Sequence, residues 1–215
     1  MRVAVIGASK EGMELAKLLH DRGHEVVIID DRRDRVEQIQ SETDIAVFHG
    51  SLTSLRVYEE ARVYKADIVI AAHENDDSNI IACVFAKSRQ VPRVIALVNT
   101  EDVAKLLRDL HLAEVVVVRT QEITRDLLDA IMGLRSIDIE RDTIVTVIDT
   151  VVHNKLLGNR INEIESRYQN IKVLAVVDEN GELLEPSKVD EIKPGMKLVV
   201  IGSRNSIGDL LGIGI

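Results

Sequence analysis

Short apolar runs alternate with longer segments of helical periodicity through the first 132 residues of the chain. Six runs rich in Val and Ile predict strands, at 3–6, 26–29, 45–48, 68–71, 94–98 and 115–118. Because Val and Ile occupy odd and even positions alike, each strand is expected to be buried on both faces. Such strands are typical of a parallel sheet with helices on both sides.

Amphipathic helices are predicted between these strands. Apolar stripes with helical spacing lie at 13–19, 80–85 and 103–110, and Thr100 is expected to be the N-cap of the third helix. Strands that alternate with helices in this way predict an α/β fold, a Rossmann-like doubly wound parallel sheet of about six strands with right-handed crossovers.

The pattern changes after a predicted helix near 120–132. Residues 133–142 are polar and mixed in charge, and we interpret them as a linker between domains. Beyond this linker the sequence predicts strands at 144–148, 173–177 and 197–201, a helix at 160–168 and a hairpin turn at Asn180 and Gly181. The expected organisation is a Rossmann domain over 1–132 and a small α+β domain over 143–215.

Charge and composition exclude several classes of protein. Lys and Arg number 27 against 36 Asp and Glu, and the net charge of −9 argues against a nucleic-acid groove, which needs a basic surface. The single cysteine excludes an internal disulfide and a cysteine-based zinc site. The apolar runs are shorter than the ~20 residues of a membrane span, and the start of the chain indicates no signal peptide. We therefore expect a cytoplasmic protein.

A candidate phosphate-binding loop follows the first predicted strand and leads into a helix, the context that the dinucleotide fingerprint requires. Its residues are Gly7, Ala8, Ser9, Lys10, Glu11 and Gly12. Gly7 would permit the tight turn and Gly12 the close packing of helix on sheet, whereas Ser9 replaces the usual middle glycine. The free N–H groups at the start of the helix predict a site for a diphosphate.

A carboxylate at the end of the second predicted strand strengthens this interpretation. Asp30 lies 18 residues after Gly12, where an acidic side chain can accept hydrogen bonds from ribose hydroxyls. Its charge favours NAD or an adenine nucleotide over NADP, although Arg32 and Arg33, which follow Asp31, would favour a 2′-phosphate. The alternative is a solvated strand end with a turn aspartate.

Two further groups of polar residues have ordinary structural explanations. His20 and His24 lie four apart, but a glycine between them is expected to end the helix, which favours a helix-end role over a metal site. Glu74, Asp76 and Asp77 follow the fourth predicted strand. We interpret them as the acidic first turn of the next helix rather than as a cation site.

No catalytic signature is evident in the sequence. Tyr168 and Lys172 have the spacing of the Tyr-x-x-x-Lys pair of short-chain dehydrogenases, but they are predicted to span a helix end and a strand start rather than one helix. Cys83 lies among apolar residues of a predicted helix and is interpreted as a buried structural thiol. A nucleotide-binding domain without such groups is more typical of a sensor than of an enzyme.

The order and spacing of short motifs resemble those of the regulators of potassium conductance, the TrkA or KTN subunits of Trk and Ktr potassium uptake systems. In the first domain the motifs are VIGASKEG at 5–12, GHEVVIID at 23–30, HGSLT at 49–53, ADIVIA at 66–71, NDDSN at 75–79 and PRVIA at 92–96. In the second they are LGN at 157–159, KPG at 193–195 and VVIGS at 199–203, similar to the TrkA C-terminal module.

The resemblance implies a non-enzymatic regulator that binds NAD(H), ATP or ADP and forms a homodimer or a larger ring beneath an integral-membrane potassium channel or transporter. Nucleotide binding would change the ring and so gate ion flow. The implied phosphate ligands are Gly7, Ser9 and Gly12, and the remaining loop residues Ala8, Lys10 and Glu11 belong to the same candidate site. Asp30 would hold the ribose beside Asp31 and Arg32, Ser51 and Leu52 would border the adenine, and Ala72, His73 and Asn75 would line the cleft.

The chain departs from the family pattern at four positions. Ser9 replaces a usual glycine, Ser51 a usual aspartate, Leu97 an arginine that commonly meets the phosphates, and Met196 an aspartate. Two polar ligand contacts are thereby lost. Two alternatives remain, a small NAD-dependent oxidoreductase, for which only His73 is placed as a general acid, and a scaffold that binds no nucleotide.

Overall fold

The fold comprises two compact units, and the division between them falls after Glu122. The structure, a computed structural model, describes residues 1–140, 142–168 and 170–213. Within these residues no helix combines the length and the apolar character needed to traverse a bilayer.

The first unit is built on a parallel sheet of six strands, as predicted. The strands are β1 Arg2–Ile6, β2 Glu25–Asp30, β3 Ala46–His49, β4 Ile68–Ala71, β5 Arg93–Val98 and β6 Val115–Val118. Their order is β3-β2-β1-β4-β5-β6, so the direction of winding reverses between β1 and β4. In open sheets of this kind ligands bind beyond the carboxyl ends of the strands at such a switch point.

Helices follow these strands. They are α1 Lys10–Asp21, α2 Arg33–Glu42, α3 Leu55–Glu60, α4 Asp76–Ser88, α5 Glu101–Asp109 and α6 Arg119–Ile131. Thr100 accepts a hydrogen bond from the N–H of Val103 and is the N-cap of α5, which confirms that prediction. Residues 3–6 of β1 are all fully buried, because helices cover both faces of the sheet.

The second unit is a small α+β domain, again as predicted. Its strands are β7 Leu134–Glu140, β8 Thr143–Asp149, β9 Ile171–Val177, β10 Leu183–Leu184 and β11 Lys197–Ser203, and its helices are α7 Ile161–Arg167 and α8 Arg204–Leu211. The sheet is antiparallel in the order β10-β9-β11-β8-β7. Gly181, with a φ of +85°, lies in the β9–β10 turn, where the sequence places it.

The segment 133–142 differs from its prediction as a linker. Most of it forms β7, an edge strand paired with β8. Leu134 is buried in this strand, whereas Ile137 and Ile139, which alternate with charged residues, are exposed, so the apolar positions do not mark the buried face. Helix α8 was not predicted either, although Ser203 is its N-cap.

Candidate functional site

The loop between β1 and α1 has the steric requirements expected of a phosphate-binding turn. Gly7 has a φ of +92°, and a Cβ at this position would lie 2.4 Å from the Cα of His73. A Cβ on Gly12 would lie 2.6 Å from the carbonyl oxygen of Gly7 and 3.1 Å from the Cβ of Ala72. Both glycines are therefore needed for the close approach of α1 to the ends of β1 and β4.

Ser9 is the N-cap of α1. Its Oγ accepts a hydrogen bond from the N–H of Gly12 at 3.2 Å, and the residue is 1% exposed. Lys10 and Glu11 form the exposed first turn of the helix. The loop therefore presents the amino end of a twelve-residue helix at the switch point of the sheet, where a positive dipole end is available to an anion.

Asp30 ties the end of β2 to this loop. Its carboxylate is fully buried, and it accepts hydrogen bonds from the N–H of Ala8 at 2.6 Å and from the N–H of Arg32 at 2.8 Å. The guanidinium of Arg35 lies 3.9 Å away. Each carboxylate oxygen thus has one backbone donor and one lone-pair direction to spare. The Arg32 side chain pairs with Asp34 at 2.6 Å and is exposed.

His73 lies directly beyond β4 and is buried. Its Nδ1 accepts a hydrogen bond from the N–H of Asn75 at 3.1 Å, so a neutral imidazole carries its proton on Nε2. That nitrogen lies 3.4 Å from a carboxylate oxygen of Asp31 and 3.7 Å from one of Glu74. The side chain is therefore held by its neighbours, while Asn75 itself is exposed at the N-cap position of α4.

Glu74 and Arg35 form an ion pair at the rim of this region. The guanidinium donates to Glu74 at 2.9 Å, which lowers the pKa of the carboxyl group and raises that of Arg35. Ligand atoms of Asp30, Asp31 and His73 lie within 4.8 Å of one another. Both oxygens of Asp30 already accept backbone hydrogen bonds, which explains its burial without a bound cation.

Asn79 is a site residue that the sequence analysis missed. It is fully buried in α4, where its Oδ1 accepts from the N–H of His73 at 2.8 Å. Its Nδ2 donates to the carbonyls of His73 and Leu97, both at 2.9 Å. A single amide therefore fixes the ends of β4 and β5 against each other. The acids Asp76 and Asp77 occupy the first turn of α4, as predicted.

The segment beyond β3 lies beside Asp30, because the N–H of Gly50 donates to the carbonyl of Asp30 at 3.0 Å. Ser51 is exposed, and its Oγ lies 2.9 Å from the hydroxyl of Thr53. Leu52 is 1% exposed, and its side chain belongs to the core on one face of the sheet. Its side chain therefore packs in the core rather than lying at the surface, where the resemblance places the adenine.

Arg119, the first residue of α6, is a second residue that sequence analysis missed. Its side chain is 12% exposed. Nη2 donates to Ser9 Oγ at 3.4 Å and to the carbonyls of Ala72 and His73 at 3.3 and 3.1 Å. Nη1 donates to Asn99 Oδ1 at 3.1 Å. A signal was present, since Arg119 directly follows β6 at the same carboxyl edge as Asp30.

The remaining candidate residues lie outside this region. His20 occupies the last turn of α1 and His24 follows Gly23, whose φ is +80°, so the helix ends there as predicted. Cys83 is fully buried, and burial raises the pKa of its thiol to about 12. Tyr168 ends α7 and Lys172 belongs to β9, as the sequence predicts.

Comparisons with known proteins find two sequence families in the chain. The profile of the TrkA-N domain matches residues 3–118, and that of the TrkA-C domain matches residues 145–212. A protein of Methanothermobacter thermautotrophicus named Trk system potassium uptake protein TrkA homolog is 25% identical over 215 residues, which cover 96% of each chain.

Two solved structures of another protein share the fold. The structure described as the GsuK channel bound to NAD superposes with a TM-score of 0.66 at 23% identity, covering 100% of this chain and 40% of its own. That of GsuK bound to ADP has a TM-score of 0.51 at 26% identity, covering 61% of this chain and 33% of its own. The matched residues thus cover less than half of each of these two chains.

Proposed function

Because the chain belongs to the TrkA-N domain family and carries a TrkA-C domain after it, we propose that it is a non-enzymatic regulatory subunit of a potassium channel or transporter, controlled by an adenine nucleotide. One observation carries the nucleotide part of this proposal. The glycine loop, the amino end of α1 and the buried Asp30 converge at the switch point of the first sheet.

The diphosphate of the nucleotide lies at the amino end of α1. Gly7 and Gly12 leave the space that a Cβ would fill, and the helix dipole favours a negative charge there. Ser9 Oγ accepts from Gly12, and its hydroxyl proton is free to be donated to a phosphate oxygen. The loop therefore binds phosphate mainly through backbone groups.

The ribose binds at Asp30. Each oxygen of this carboxylate accepts one backbone hydrogen bond and retains a lone pair for a ribose hydroxyl. A 2′-phosphate would meet the negative charge of Asp30, so NAD(H), ATP and ADP are preferred over NADP(H). The solved structures of GsuK bound to NAD and to ADP support the same ligand class.

The subunit acts as an oligomer. Ile123, Leu127 and Ile131 follow one another at intervals of four residues on α6 and are 58%, 60% and 76% exposed. Residues with this spacing share one face of a helix, and a second copy of the chain would bury that face in a two-fold interface. The nucleotide then controls the membrane partner, at the cytoplasmic side, by favouring one conformation of the assembly.

Calorimetric titration of the purified chain with NAD, NADH, ATP, ADP and NADPH tests the nucleotide part. We expect saturable binding of at least one of the first four, at least about tenfold tighter than that of NADPH, a difference of ~1.4 kcal/mol. Binding of none of them would refute a nucleotide-controlled subunit and favour the scaffold. Oxidation of NADH coupled to reduction of a substrate would refute the non-enzymatic assignment.

A further inference from the structure

Arg119 carries a positive charge that the surrounding protein compensates only in part. Four of its acceptors are neutral, namely Ser9 Oγ, Asn99 Oδ1 and the carbonyls of Ala72 and His73. The distances, 3.1–3.4 Å, exceed the roughly 2.7–2.9 Å of charge-assisted hydrogen bonds to an anion. The guanidinium is therefore positioned by the protein without a strong partner among these groups.

Within the described residues, Arg119 forms an ion pair with Glu11. Its carboxylate oxygen lies 3.3 Å from Nε, but that nitrogen is buried and makes no hydrogen bond within the described residues. Glu11 is also half exposed, so water screens its charge. A nearly buried cation without a well-aligned anion is unfavourable, and an incoming anion would relieve that cost.

The location of Arg119 identifies the anion. Its Nη2 contacts Ser9, the N-cap of α1, and the carbonyl of His73, whose backbone is the group that excludes a Cβ from Gly7. The guanidinium therefore lies beside the loop whose N–H groups form the proposed diphosphate site. Other cations nearby are differently placed, since Arg35 pairs with Glu74 and Lys10 is exposed.

We propose that Arg119 is the phosphate-recognising cation of this cleft. It would bind the terminal phosphate of a nucleoside diphosphate or the diphosphate bridge of a dinucleotide, exchanging the carbonyls and Glu11 for phosphate oxygens, which a guanidinium can contact through two parallel N–H groups. The inference rests on the proposed function, because it names a ligand contact within the same site. Arg119 would also supply the positive charge that Leu97, near the end of β5, does not supply.

The test compares ligands with and without phosphate. The full-length wild type and the variants Arg119→Gln and Arg119→Lys are titrated with ADP, AMP and adenosine. For Arg119→Gln we expect ADP affinity to fall about 10- to 100-fold, the loss typical of a charged hydrogen-bonding partner. Adenosine affinity should stay within about twofold of the wild type, and Arg119→Lys, which keeps the charge but loses the planar fork, should be intermediate for ADP.

Two further variants guard against a folding artefact. Arg108→Gln removes an exposed arginine that pairs with Glu101 on α5, and it should leave ADP affinity unchanged. Glu11→Gln leaves Arg119 in place and removes the carboxylate that lies 3.3 Å from its Nε, so ADP should bind several-fold tighter relative to adenosine. If Arg119→Gln does not fold, the ADP-to-adenosine ratio of Glu11→Gln decides, and an unchanged or lower ratio would count against the proposal.

The outcomes separate this inference from the proposed function. Equal losses for ADP and adenosine in Arg119→Gln would make Arg119 a structural residue. If Arg119→Gln binds ADP as tightly as the wild type does, the inference is overturned, but the proposed nucleotide site is not. A wild type that binds none of NAD, NADH, ATP and ADP would refute both.

Discussion

The carboxylate of Asp30 accepts a hydrogen bond from the N–H of Ala8 at 2.6 Å, so the end of β2 holds the proposed phosphate loop in place. The proposed ribose contact is therefore only part of the role of this aspartate. It is fully buried and also accepts from the N–H of Arg32. Stability and binding are linked through this one side chain.

Asp30→Ala should accordingly lower both the stability of the fold and the affinity for nucleotide. The substitution leaves two backbone donors unpaired, and we expect a loss of about 1–3 kcal/mol in the free energy of unfolding. Urea denaturation measures this loss, and calorimetry with ADP measures the affinity of the folded variant. Asp34→Asn, at an exposed ion pair near the same strand end, should leave the stability close to that of the wild type. Equal stability of Asp30→Ala and the wild type would contradict the anchoring role.

Gly7→Ala should be more damaging than a glycine replacement elsewhere in the same unit. The new Cβ would lie 2.4–2.5 Å from backbone atoms of His73, which cannot move without displacing the end of β4. We expect a loss of at least about 3 kcal/mol, because overpacking adds to an unfavourable positive φ.

Gly23→Ala is the matched control for this prediction. Gly23 also has a positive φ, +80°, but nothing lies within 4 Å of the position of its Cβ. Only backbone strain is introduced, so the expected loss is about 1–2 kcal/mol. Thermal or urea unfolding of both variants makes the comparison, and an equal loss at the two positions would show that the contact with His73 does not matter.

The Glu74–Arg35 pair should make a pH-dependent contribution to stability. The hydrogen bond from Arg35 lowers the pKa of Glu74 below its ordinary value of 4.5. The stabilisation is therefore present above that value and is lost as the pH falls through the lowered pKa. Glu74 is 44% exposed, so Glu74→Gln should cost less than about 1 kcal/mol at neutral pH.

Urea unfolding of the wild type and Glu74→Gln at neutral and acidic pH measures this contribution, which should shrink as Glu74 becomes protonated. Arg35→Gln should show the same trend, and the double variant should lose less than the sum of the two single losses, because one interaction is removed in both. A Glu74→Gln penalty that persists at acidic pH would attribute the effect to packing rather than to charge.

Leu127→Asp should dissociate the proposed oligomer. A carboxylate in the centre of the apolar face of α6 would be desolvated by a second copy, whereas on a monomer it would meet water. Light scattering coupled to size-exclusion chromatography should show a mass near 23.9 kDa for the variant and at least twice that for the wild type. Leu55→Asp, which is similarly exposed on α3, should keep the wild-type mass. A monomeric wild type would refute the interface.

The first sheet could be predicted because each of its strands has the same pattern within a few consecutive residues. Val and Ile on both parities of each run indicate strands buried on two faces, and the structure has all six. Strand β7 was not predictable in this way, because this edge strand has few apolar residues and two of them, Ile137 and Ile139, are exposed. β7 forms because it pairs with β8, and its own sequence alone does not indicate that pairing.

The parts of the site that come from one continuous segment could be predicted from the sequence. The contacts between residues that are distant in the sequence could not. The glycine loop and Asp30 are recognisable from spacing alone. Arg119 contacts Ser9 across 110 residues, and Asn79 reaches Leu97 across 18, so only the fold reveals either relationship. Leu52 is the opposite case. Its position in the sequence suggests a ligand contact, but its side chain packs in the core.

Helix α6 begins with Arg119 and ends with Ile131, and thirteen helical residues extend about 20 Å. The same helix therefore has a guanidinium beside Ser9 in its first turn and, further along, the exposed apolar side chains of Ile123, Leu127 and Ile131. The proposed phosphate contact and the proposed interface with a second copy of the chain thus lie on one helix, and a variant of α6 made to change one of them should be tested for its effect on the other.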